Sequence, residues 1–207
     1  MDTTVFLLRH GETDWSRDRR ILGQRDIGLN ADGLNQAREA ALALKPLEIT
    51  EVVASPLLRT VQTAEVVAGL FDVEVARDPR LGEIHIGRWE GMPYDAVVAD
   101  PEYQRFIEDP VAVRFPGGEK LGDVRDRGVA SIHQALVDNP WGTNIVIVSH
   151  ANVIRVVLAH YLGMPVAAFH RLRVSPGSLS VLRFADDREL PRIIAMNYLG
   201  SIASLLA

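Results

Sequence analysis

An arginine, a histidine and a glycine near the amino terminus are the first residues that could do chemistry. Arg9, His10 and Gly11 directly follow Val5–Leu8, a short apolar run that predicts a buried strand. Open α/β sheets bind ligands at the carboxyl ends of such strands. The arginine is a permanent cation that can bind a phosphate through two N–H groups, and the histidine is a candidate nucleophile or base. The tripeptide therefore predicts part of an anion site.

Three later segments each carry a further candidate group at a strand end or a helix start. Arg59 falls in the first turn of a helix that follows the predicted strand Glu51–Ala54. Glu83 lies in a loop punctuated by glycines, and His150 follows Thr143–Val148, the most apolar predicted strand. Because parallel strands bring their carboxyl ends to one edge of a sheet, we expect these groups to converge with the amino-terminal tripeptide.

The combined set of two histidines, two arginines and one glutamate suits a dianionic tetrahedral group. The chemistry that fits is transfer of a phosphoryl group to a neutral imidazole nitrogen, because fixed cations stabilise the charge on the equatorial oxygens. Glu83 could protonate the leaving alkoxide if its pKa is raised. The arginines argue against a metal site, since they would crowd the ion. A metal hydrolase using His10, His150 and Glu83 is the alternative, and it predicts that a chelator abolishes activity.

Strands and helices alternate along the chain, which predicts an α/β three-layer sandwich, with one domain over residues 1–207. Asn30 is the predicted cap of a helix that Pro46 ends, and Ser55 and Pro56 are the predicted N-cap and first residue of the helix that runs to about Leu70. Residues 14–29 look irregular. The other predicted elements are a strand over Phe71–Arg77, one or two short helices over residues 93–109, a turn at Phe115–Gly118, a helix that contains Val124 and runs to about Asn139, a helix after His150 that Gly163–Pro165 stops, and closing strands over residues 171–184 and 191–199, split by the polar turn Asp186–Arg188.

The composition restricts the class of protein. The 207 residues are 47% hydrophobic and 24% charged, as is usual for a globular chain, and the net charge of −5 argues against nucleic acid as the main partner. Cysteine is absent, so disulfides and thiolate sites are excluded. No apolar run approaches the ~20 residues of a membrane span, and the first residues lack a signal-peptide pattern. We expect a cytoplasmic protein with no membrane partner.

Four ordered blocks of the sequence resemble the signature of the histidine phosphatase superfamily, whose fold is phosphoglycerate mutase-like. The resemblance spans nearly the whole chain and implies an α/β/α sandwich with a mostly parallel central sheet. The blocks are Leu7–Thr13 with Trp15, continuing through Gly23–Leu29, Gly33 and Gln36-Ala37; Ser55–Ala64; Leu81–Gly91; and Val148–Arg155.

The resemblance implies a role for each site residue. His10 would be the nucleophile that becomes phosphohistidine, and Glu83 would protonate the leaving group and then activate water. The ligand would be a small phosphorylated metabolite or inorganic phosphate, and neither a metal nor an organic cofactor is expected. The remaining implied residues are Arg9, Arg59 and His150, which would hold the phosphoryl oxygens; Ser16 and the backbone N–H of Ala151, which would lie near the phosphate; and Gly23 and Gln24, which would line the substrate entrance.

The sequence departs from the family pattern at two positions. Ser16 stands where the family often has an asparagine that touches phosphate, and we expect this shorter side chain to reach phosphate only through water. Ala151 follows His150 where a glycine is common.

The third block has a short form, Ile84–Gly91, without the longer insertion of the mutase branch. This short form favours hydrolysis. Phosphoglycerate mutase and a catalytically weak protein that binds a phosphorylated ligand are the alternatives.

Further polar and aromatic groups have two interpretations each. Four arginines either form a solvated loop or form an electropositive rim that favours a second anionic group on the substrate, such as a carboxylate. Three aromatic residues either belong to the core or form a substrate wall. The sequence leaves open whether the chain forms a homodimer. The arginines are Arg17, Arg19, Arg20 and Arg25, and the aromatic residues are Tyr94, Tyr103 and Phe106.

Overall fold

A six-stranded sheet forms the middle layer of the computed structural model, which describes residues 2–185, 190–202 and 205. The strand order is β3-β2-β4-β1-β5-β6. The pairs β3–β2, β2–β4 and β4–β1 are parallel, and β5 runs antiparallel to both of its neighbours. The strands are β1 (Thr3–Arg9), β2 (Glu51–Ala54), β3 (Val75–Arg77), β4 (Asn144–Ser149), β5 (Leu179–Phe184) and β6 (Arg192–Tyr198).

Strand β4 occupies the centre of the sheet, as its apolar sequence predicts. The side chains of Ile145–Val148 are fully buried, because helices cover both faces of the sheet at this strand. Its end is in register with the ends of both parallel neighbours: Arg9 pairs with Ser149, and Ala54 pairs with Val148. The carboxyl ends of β1, β2 and β4 therefore lie side by side at one edge of the sheet.

The described part of the chain contains seven α-helices, of which α2, α3, α6 and α7 pack against the sheet. The alternation of side chains along each strand divides the core into two clusters. Phe6 and Leu8 face the side of α2 and α3, whereas Val5 and Leu7 face the side of α6 and α7. The predicted three-layer α/β/α sandwich is thereby confirmed. The helices are α1 (Asp14–Arg17), α2 (Ala31–Leu44), α3 (Leu58–Phe71), α4 (Tyr94–Val98), α5 (Pro101–Glu108), α6 (Leu121–Asp138) and α7 (Ala151–Tyr161).

A third apolar cluster, here called the cap cluster, lies outside the two sheet layers. It joins the segment between β3 and α6 to the outer face of α7. Three short 3₁₀ helices, Pro79–Leu81, Gly87–Trp89 and Val166–Arg171, connect these regions. The buried members of the cap cluster are Ile84, Ile86, Trp89, Val97, Phe106, Phe115, Leu121, Val124, Val153, Val156, Ala159 and Phe169.

The loop after β1 crosses the start of α2 at very close range. Asn30 caps α2, as predicted, because its side chain accepts the N–H of Gly33 at 2.8 Å. A Cβ atom at Gly33 would overlap the carbonyl oxygen of Glu12, and one at Gly11 would overlap the carbonyl oxygen of Gly33. These two positions therefore require glycine for close approach of main chains. Their packing fixes where the residues after β1 lie.

Several predicted boundaries are wrong. The region after Thr13 is not wholly irregular, because the Thr13 hydroxyl caps the short helix α1. Ser55 is not the cap of α3, which begins at Leu58, and β3 is confined to its last three predicted residues because α3 continues to Phe71. Residues 171–178 precede β5 without joining it. The predicted turn Asp186–Arg188 lies outside the described residues. Within the described ranges, no helix has both the length and the hydropathy to cross a membrane.

Candidate active site

The first group of the site is the imidazole of His10, directly after β1. Its Nδ1 lies 2.7 Å from the carbonyl oxygen of Gly11, so Nδ1 carries the proton and Nε2 presents a lone pair. The Gly11 N–H in turn donates to Thr63 Oγ1 on α3 at 3.2 Å. Burial, and then the charges of Arg59 and Arg9, hold the pKa of His10 well below its usual range. The ring is therefore a neutral imidazole suited to nucleophilic attack.

The second imidazole, His150, lies against the first at the start of α7. The ring centroids of His10 and His150 are 5.1 Å apart in an edge-on arrangement. The Ser55 hydroxyl is 2.8 Å from Nε2 of His150, while Nδ1 is buried without a hydrogen-bond partner among the described residues. Burial also lowers the pKa of His150 well below its usual range. If Ser55 donates to Nε2, the neutral ring carries its proton on Nδ1 and offers it to a ligand.

Two arginines bring positive charge to these rings. Arg9 donates to the carbonyl oxygen of Val174 at 2.7 Å, and Arg59 donates to those of Arg25 and Gly23 at 2.7 and 2.9 Å. Within the described part of the chain neither arginine forms an ion pair, and the Nε atom of each is buried without a partner. Burial lowers the pKa of each guanidinium to about 10, so both are charged at neutral pH.

Arg9, His10, Arg59 and His150 are here called the anion cradle. It contains three buried donors without protein partners, Nε of Arg9, Nε of Arg59 and Nδ1 of His150. A buried donor that lacks an acceptor costs about 1–3 kcal/mol, and more when the group is charged. An anion with several oxygens would satisfy all three donors and neutralise the charge. The cradle thus has the chemistry of an oxyanion site.

The carboxyl group of Glu83 is buried close to the cradle. Its side chain is 8% exposed, and Oε1 accepts the N–H of Ile84 at 2.8 Å. Burial raises the pKa of Glu83, and it outweighs the opposing effects of the Ile84 N–H and of Arg59 and Arg9. A carboxyl group with a raised pKa can donate a proton at a pH where ordinary glutamates are ionised.

The main chain at Glu83 is held from two sides. The amide of Gln24 donates to the Glu83 carbonyl oxygen, and Arg127 donates to the carbonyl oxygens of Gly82 and Glu83 at 2.6 and 3.3 Å. Arg127 is itself paired with Glu119 at 2.9 Å. These contacts fix the loop that carries the carboxyl group.

A cavity of about 390 Å³, here called the reaction cleft, opens beside these groups. Arg9 and Glu83 form part of its wall, whereas the cradle residues His10, Arg59 and His150 are more deeply buried. The predicted residues Ser16, Gly23 and Ala151 also line the cleft. Gln24 is not in the wall, which differs from its prediction as an entrance residue, because its side chain is used to hold the Glu83 main chain.

The other predicted site residues, Ser16, Gly23 and Ala151, differ in whether their polar groups are already hydrogen-bonded within the protein. The Ser16 hydroxyl donates to the Thr13 carbonyl oxygen at 2.9 Å and accepts the Thr13 N–H, so its hydrogen bonds serve the start of α1. The Gly23 carbonyl oxygen accepts from Arg59. Ala151 is the first residue of α7, where a backbone N–H has no partner within the helix.

The four loop arginines divide between the two interpretations. Arg17 is exposed and pairs with Asp14 at 3.0 Å, and Arg25 is exposed near Glu90. Arg19 and Arg20 line the cleft, as the rim interpretation predicts. Arg19 is already paired with Asp95 at 3.1 Å, whereas Arg20 donates to the Gly91 carbonyl oxygen and stacks on Trp15.

Sequence reasoning missed three contributors to the site. The sequence predicts Ser55 as a helix cap, whereas in the structure its hydroxyl contacts His150. Arg155 and Asn152 line the cleft from α7. The spacing of four residues between Ala151 and Arg155 places both on one helix face, which is a signal that the sequence already contained.

The donor set at this edge of the sheet does not resemble a metal centre. Among the described residues, no three His, Cys, Asp or Glu side chains cluster as ligands for an ion. The groups that surround the two imidazoles are instead the permanently charged Arg9 and Arg59. Such groups bind anions and repel cations.

Comparison with known sequences places this chain among phosphate-handling proteins. Residues 5–198 match the family model described as the histidine phosphatase superfamily, branch 1. A protein named probable phosphoglycerate mutase GpmB from Serratia proteamaculans is 38% identical over 178 residues, which are 85% of this chain and 82% of that protein. A protein of the same name from Shigella boydii is 34% identical over 203 residues, with 97% and 94% of the chains covered.

Solved structures with the same fold include phosphatases. The Entamoeba histolytica phosphoserine phosphatase in complex with 3-phosphoglyceric acid superimposes with a TM-score of 0.84 at 27% identity, covering 95% of this chain and 97% of that one. The mycobacterial glucosyl-3-phosphoglycerate phosphatase in complex with VO₃ gives a TM-score of 0.85 at 29% identity, covering 94% and 98%. The YhfR protein of Bacillus stearothermophilus gives a TM-score of 0.87 at 28% identity, covering 97% and 99%.

Proposed function

The chain belongs to the histidine phosphatase superfamily, and on that basis we propose that it is a metal-independent phosphomonoesterase acting on small phosphorylated metabolites through a phosphohistidine at His10. The observation that best supports this proposal is the anion cradle. A neutral imidazole with a free Nε2 lies among three buried donors that have no protein acceptor in the described structure. A phosphoryl group would supply the acceptors.

The first half-reaction transfers the phosphoryl group to the enzyme. The lone pair on Nε2 of His10 attacks phosphorus, and the bond between phosphorus and the ester oxygen breaks. Glu83 gives its proton to the departing oxygen, so an alcohol leaves and Glu83 becomes a carboxylate. Nε of Arg9, Nε of Arg59 and Nδ1 of His150 donate to the equatorial oxygens, whose charge the two guanidinium groups stabilise.

The second half-reaction regenerates the imidazole. The Glu83 carboxylate accepts a proton from a water molecule as the water oxygen attacks phosphorus. The bond between phosphorus and Nε2 of His10 breaks, and its electron pair returns to the nitrogen. Inorganic phosphate leaves, and Glu83 is again protonated. One carboxyl group thus acts as acid and then as base.

A phosphoglycerate mutase is the second candidate, because the sequence relatives described above carry that name. A mutase would pass the phosphoryl group from His10 to a second hydroxyl of a phosphoglycerate instead of to water. The short segment Ile84–Gly91 after Glu83, which lacks the longer insertion of the mutase branch, supports hydrolysis. Incubation with 3-phosphoglycerate separates the two functions, since a mutase gives the isomeric ester and a phosphatase gives inorganic phosphate.

The primary test is hydrolysis of an aryl phosphate in the presence of a chelator. The native protein, His10→Ala and the surface control His133→Ala are compared, and acid-labile phosphoenzyme is trapped with labelled substrate. We expect chelator-resistant turnover and phosphoenzyme in the native protein and the control, with both lost in His10→Ala.

Three results would contradict the proposal. Equal turnover by His10→Ala would remove His10 as the nucleophile. Loss of activity with the chelator would favour a metal hydrolase. Binding of phosphate without turnover of any ester would favour a protein that only binds phosphorylated ligands.

A further inference from the structure

A second cavity of about 530 Å³ adjoins the reaction cleft. This cavity, here called the apolar chamber, extends into the cap cluster and is bounded mainly by aliphatic and aromatic side chains. The two cavities are direct neighbours, because they share part of their walls. The shared wall residues are Ile21, Ile84, Ile86, Tyr94, Asn152 and Arg155.

The aromatic wall of the chamber is held by ring-to-ring contacts. Phe106 lies 4.6 Å from Phe115 and 6.5 Å from Phe169, and Trp89 lies 5.8 Å from Phe115, measured between ring centroids. Trp89 also donates to Asp100 at 2.9 Å, which satisfies its polar atom. The wall is therefore packed as a preformed surface that suits an apolar body.

Arg155 lies where the two cavities meet, and it is half-buried. Its Nε donates to the Leu172 carbonyl oxygen at 2.9 Å, and Nη1 makes a long contact of 3.4 Å with Asn152. Within the described structure it forms no ion pair with a carboxylate. Its charge acts on Arg9 and on Glu83, so it lies within electrostatic range of the phosphate site.

Arg9 is already assigned to the phosphoryl group, and the two other arginines of the cleft, Arg19 and Arg20, lack this combination of burial and unpaired charge. Arg19 is exposed and forms an ion pair with Asp95. Arg20 is exposed, and it directs Nε and Nη2 to the Gly91 carbonyl oxygen. A half-buried cation without a carboxylate partner costs desolvation energy, which an anionic group of the ligand would offset. Arg155 is thus the arginine best placed to recognise a second anionic group.

Building on the proposed function, we infer that Arg155 determines substrate specificity by binding a carboxylate on the leaving-group half of the substrate, while an apolar side chain of that half occupies the chamber. The substrate class is phosphate monoesters of hydroxy acids that carry an aromatic or branched apolar group. The carboxylate is near the ester oxygen, because Arg9, Glu83 and Arg155 line the same cleft.

Four esters separate the two features. Phosphophenyllactate carries both a carboxylate and a phenyl group, and phospholactate keeps only the carboxylate. In the third ester a methyl group replaces the carboxylate of phosphophenyllactate, and isopropyl phosphate lacks both features. For the native protein, we expect kcat/KM to rise about 30-fold or more with the carboxylate and about tenfold or more with the phenyl group.

Substitutions test whether the carboxylate preference depends on Arg155 and whether the phenyl preference depends on the apolar chamber. Arg155→Met should abolish the carboxylate preference and keep the phenyl preference, and Arg155→Lys should restore part of the carboxylate preference. The exposed Arg38→Met, on α2 and outside the walls of both cavities, is the control, and its preference ratios should equal those of the native protein. Ile107, which is 51% exposed at the chamber wall, is replaced by Trp to fill the chamber. Ile107→Trp should reduce the phenyl preference, whereas the neighbouring Glu108→Trp should not.

Binding measurements make the test independent of turnover. The four esters are titrated calorimetrically into His10→Ala, and the ratios of their dissociation constants should follow the same pattern. If no ester is hydrolysed and no phosphoenzyme forms, the proposed function fails while these ratios still report on Arg155. Ratios near one in both assays would overturn the inference. An equal loss for carboxylated and neutral esters in Arg155→Met would also overturn it, since that result indicates only a structural role.

Discussion

The proposed reaction depends on side chains that are oriented by residues with no part in the chemistry. Ser55 is the sharpest example, because its hydroxyl contacts the same imidazole whose other nitrogen lacks a protein partner. The N–H of Leu57 lies 3.4 Å from that hydroxyl oxygen, which leaves the hydroxyl proton free to point at His150. Donation from this hydroxyl to Nε2 favours the tautomer that carries its proton on Nδ1, so a residue outside the cradle orients the ring.

Ser55→Ala should therefore weaken catalysis without removing a cradle residue. The substitution leaves Nε2 of His150 buried and without its donor, so the ring no longer favours the tautomer that donates from Nδ1. We expect kcat/KM for an aryl phosphate to fall about 10- to 100-fold. Thr50→Ala, which removes an exposed hydroxyl just before β2, the strand that Ser55 follows, is the control. Unchanged kinetics in Ser55→Ala would show that Ser55 does not orient His150.

The pH dependence follows from two opposite pKa shifts. His10 must be neutral, and its lowered pKa keeps it neutral at pH values below the usual imidazole range. Glu83 must be protonated for the first half-reaction, and its raised pKa keeps the proton above the usual carboxyl range. We expect kcat/KM to be highest at acidic pH, to fall on the alkaline side as Glu83 ionises, and to fall on the acidic side as His10 gains a proton.

A phosphate ester has its own ionisation near pH ~6, which also affects the pH profile. The variant Glu83→Gln distinguishes the ionisation of Glu83 from that of the substrate. The alkaline decrease that belongs to Glu83 should disappear in the variant, while the substrate's ionisation persists. Activity should be lost mainly for alkyl esters, whose leaving groups need a proton most. An unchanged alkaline limb in Glu83→Gln would exclude Glu83 as the general acid.

The residues of the anion cradle were predictable from sequence because each lies at the end of a strand or at the start of a helix. Arg9, Arg59 and His150 could be placed once the strands were recognised. The contacts of Ser55 and Gln24 were not predictable, because they join segments far apart in the chain. Ser55 contacts a histidine 95 residues away. Neither spacing nor hydropathy carries information about such a pair.

At the scale of elements, the position of His10 depends on the crossing between the β1 loop and α2. The Glu12 N–H donates to Gln36, and the Asn30 side chain donates to Glu12, at 2.8 and 2.9 Å. These bonds draw the two main chains together at Gly11 and Gly33. The crossing therefore links the start of a helix to the placement of the proposed nucleophile.

Gly33→Ala should disrupt this crossing. Its Cβ would overlap the Glu12 carbonyl oxygen, and main-chain atoms cannot move aside as a side chain can. We expect a loss of about 3 kcal/mol in the free energy of unfolding, together with reduced activity. Gly69→Ala is the matched control within α3, because a Cβ there meets no atom within 4 Å. That variant should gain up to about 1 kcal/mol from helix propensity. Equal stability of the two variants in denaturant melts would contradict this account.

Elements with a strong local signal were predictable, and those that depend on tertiary contacts were not. The strand at Ile145–Val148 and the helix cap at Asn30 were predictable because each signal, an apolar run or a capping residue, lies within a few consecutive residues. The pair Ser55-Pro56 has the sequence of a helix start, yet α3 begins at Leu58. There the hydroxyl contacts His150 instead of capping the helix. The alternating pattern over 71–77 likewise predicts a strand that begins at Phe71, but Phe71 is the last residue of α3 and β3 begins only at Val75.

At the scale of the whole molecule, the charge of the site opposes the charge of the chain. The net charge is −5, whereas the reaction cleft contains Arg9, Arg19, Arg20 and Arg155. A concentrated positive cleft on an acidic protein attracts anions to one place. Repulsion among these cations destabilises the folded protein when no ligand is bound. A bound oxyanion should reduce that repulsion and so stabilise the folded state.

Inorganic phosphate should therefore stabilise the whole protein. At a concentration 100 times its dissociation constant, phosphate should add about 2.7 kcal/mol to the free energy of unfolding, which is measurable as a rise in Tm. Arg59→Met should lose most of this rise, whereas the exposed Arg38→Met should keep it. A rise of the same size with chloride at matched ionic strength would indicate general screening and not a phosphate site.

The two cradle arginines are anchored by main-chain carbonyl oxygens at Val174, Gly23 and Arg25. Every residue type carries a carbonyl group, so a side-chain substitution at position 25 or 174 leaves the anchor in place. A carboxylate anchor, by contrast, is lost by a single substitution, and it would also cancel part of the charge. The arrangement gives the site mutational tolerance: the sequence around it can drift over generations while the arginines keep both their orientation and their charge.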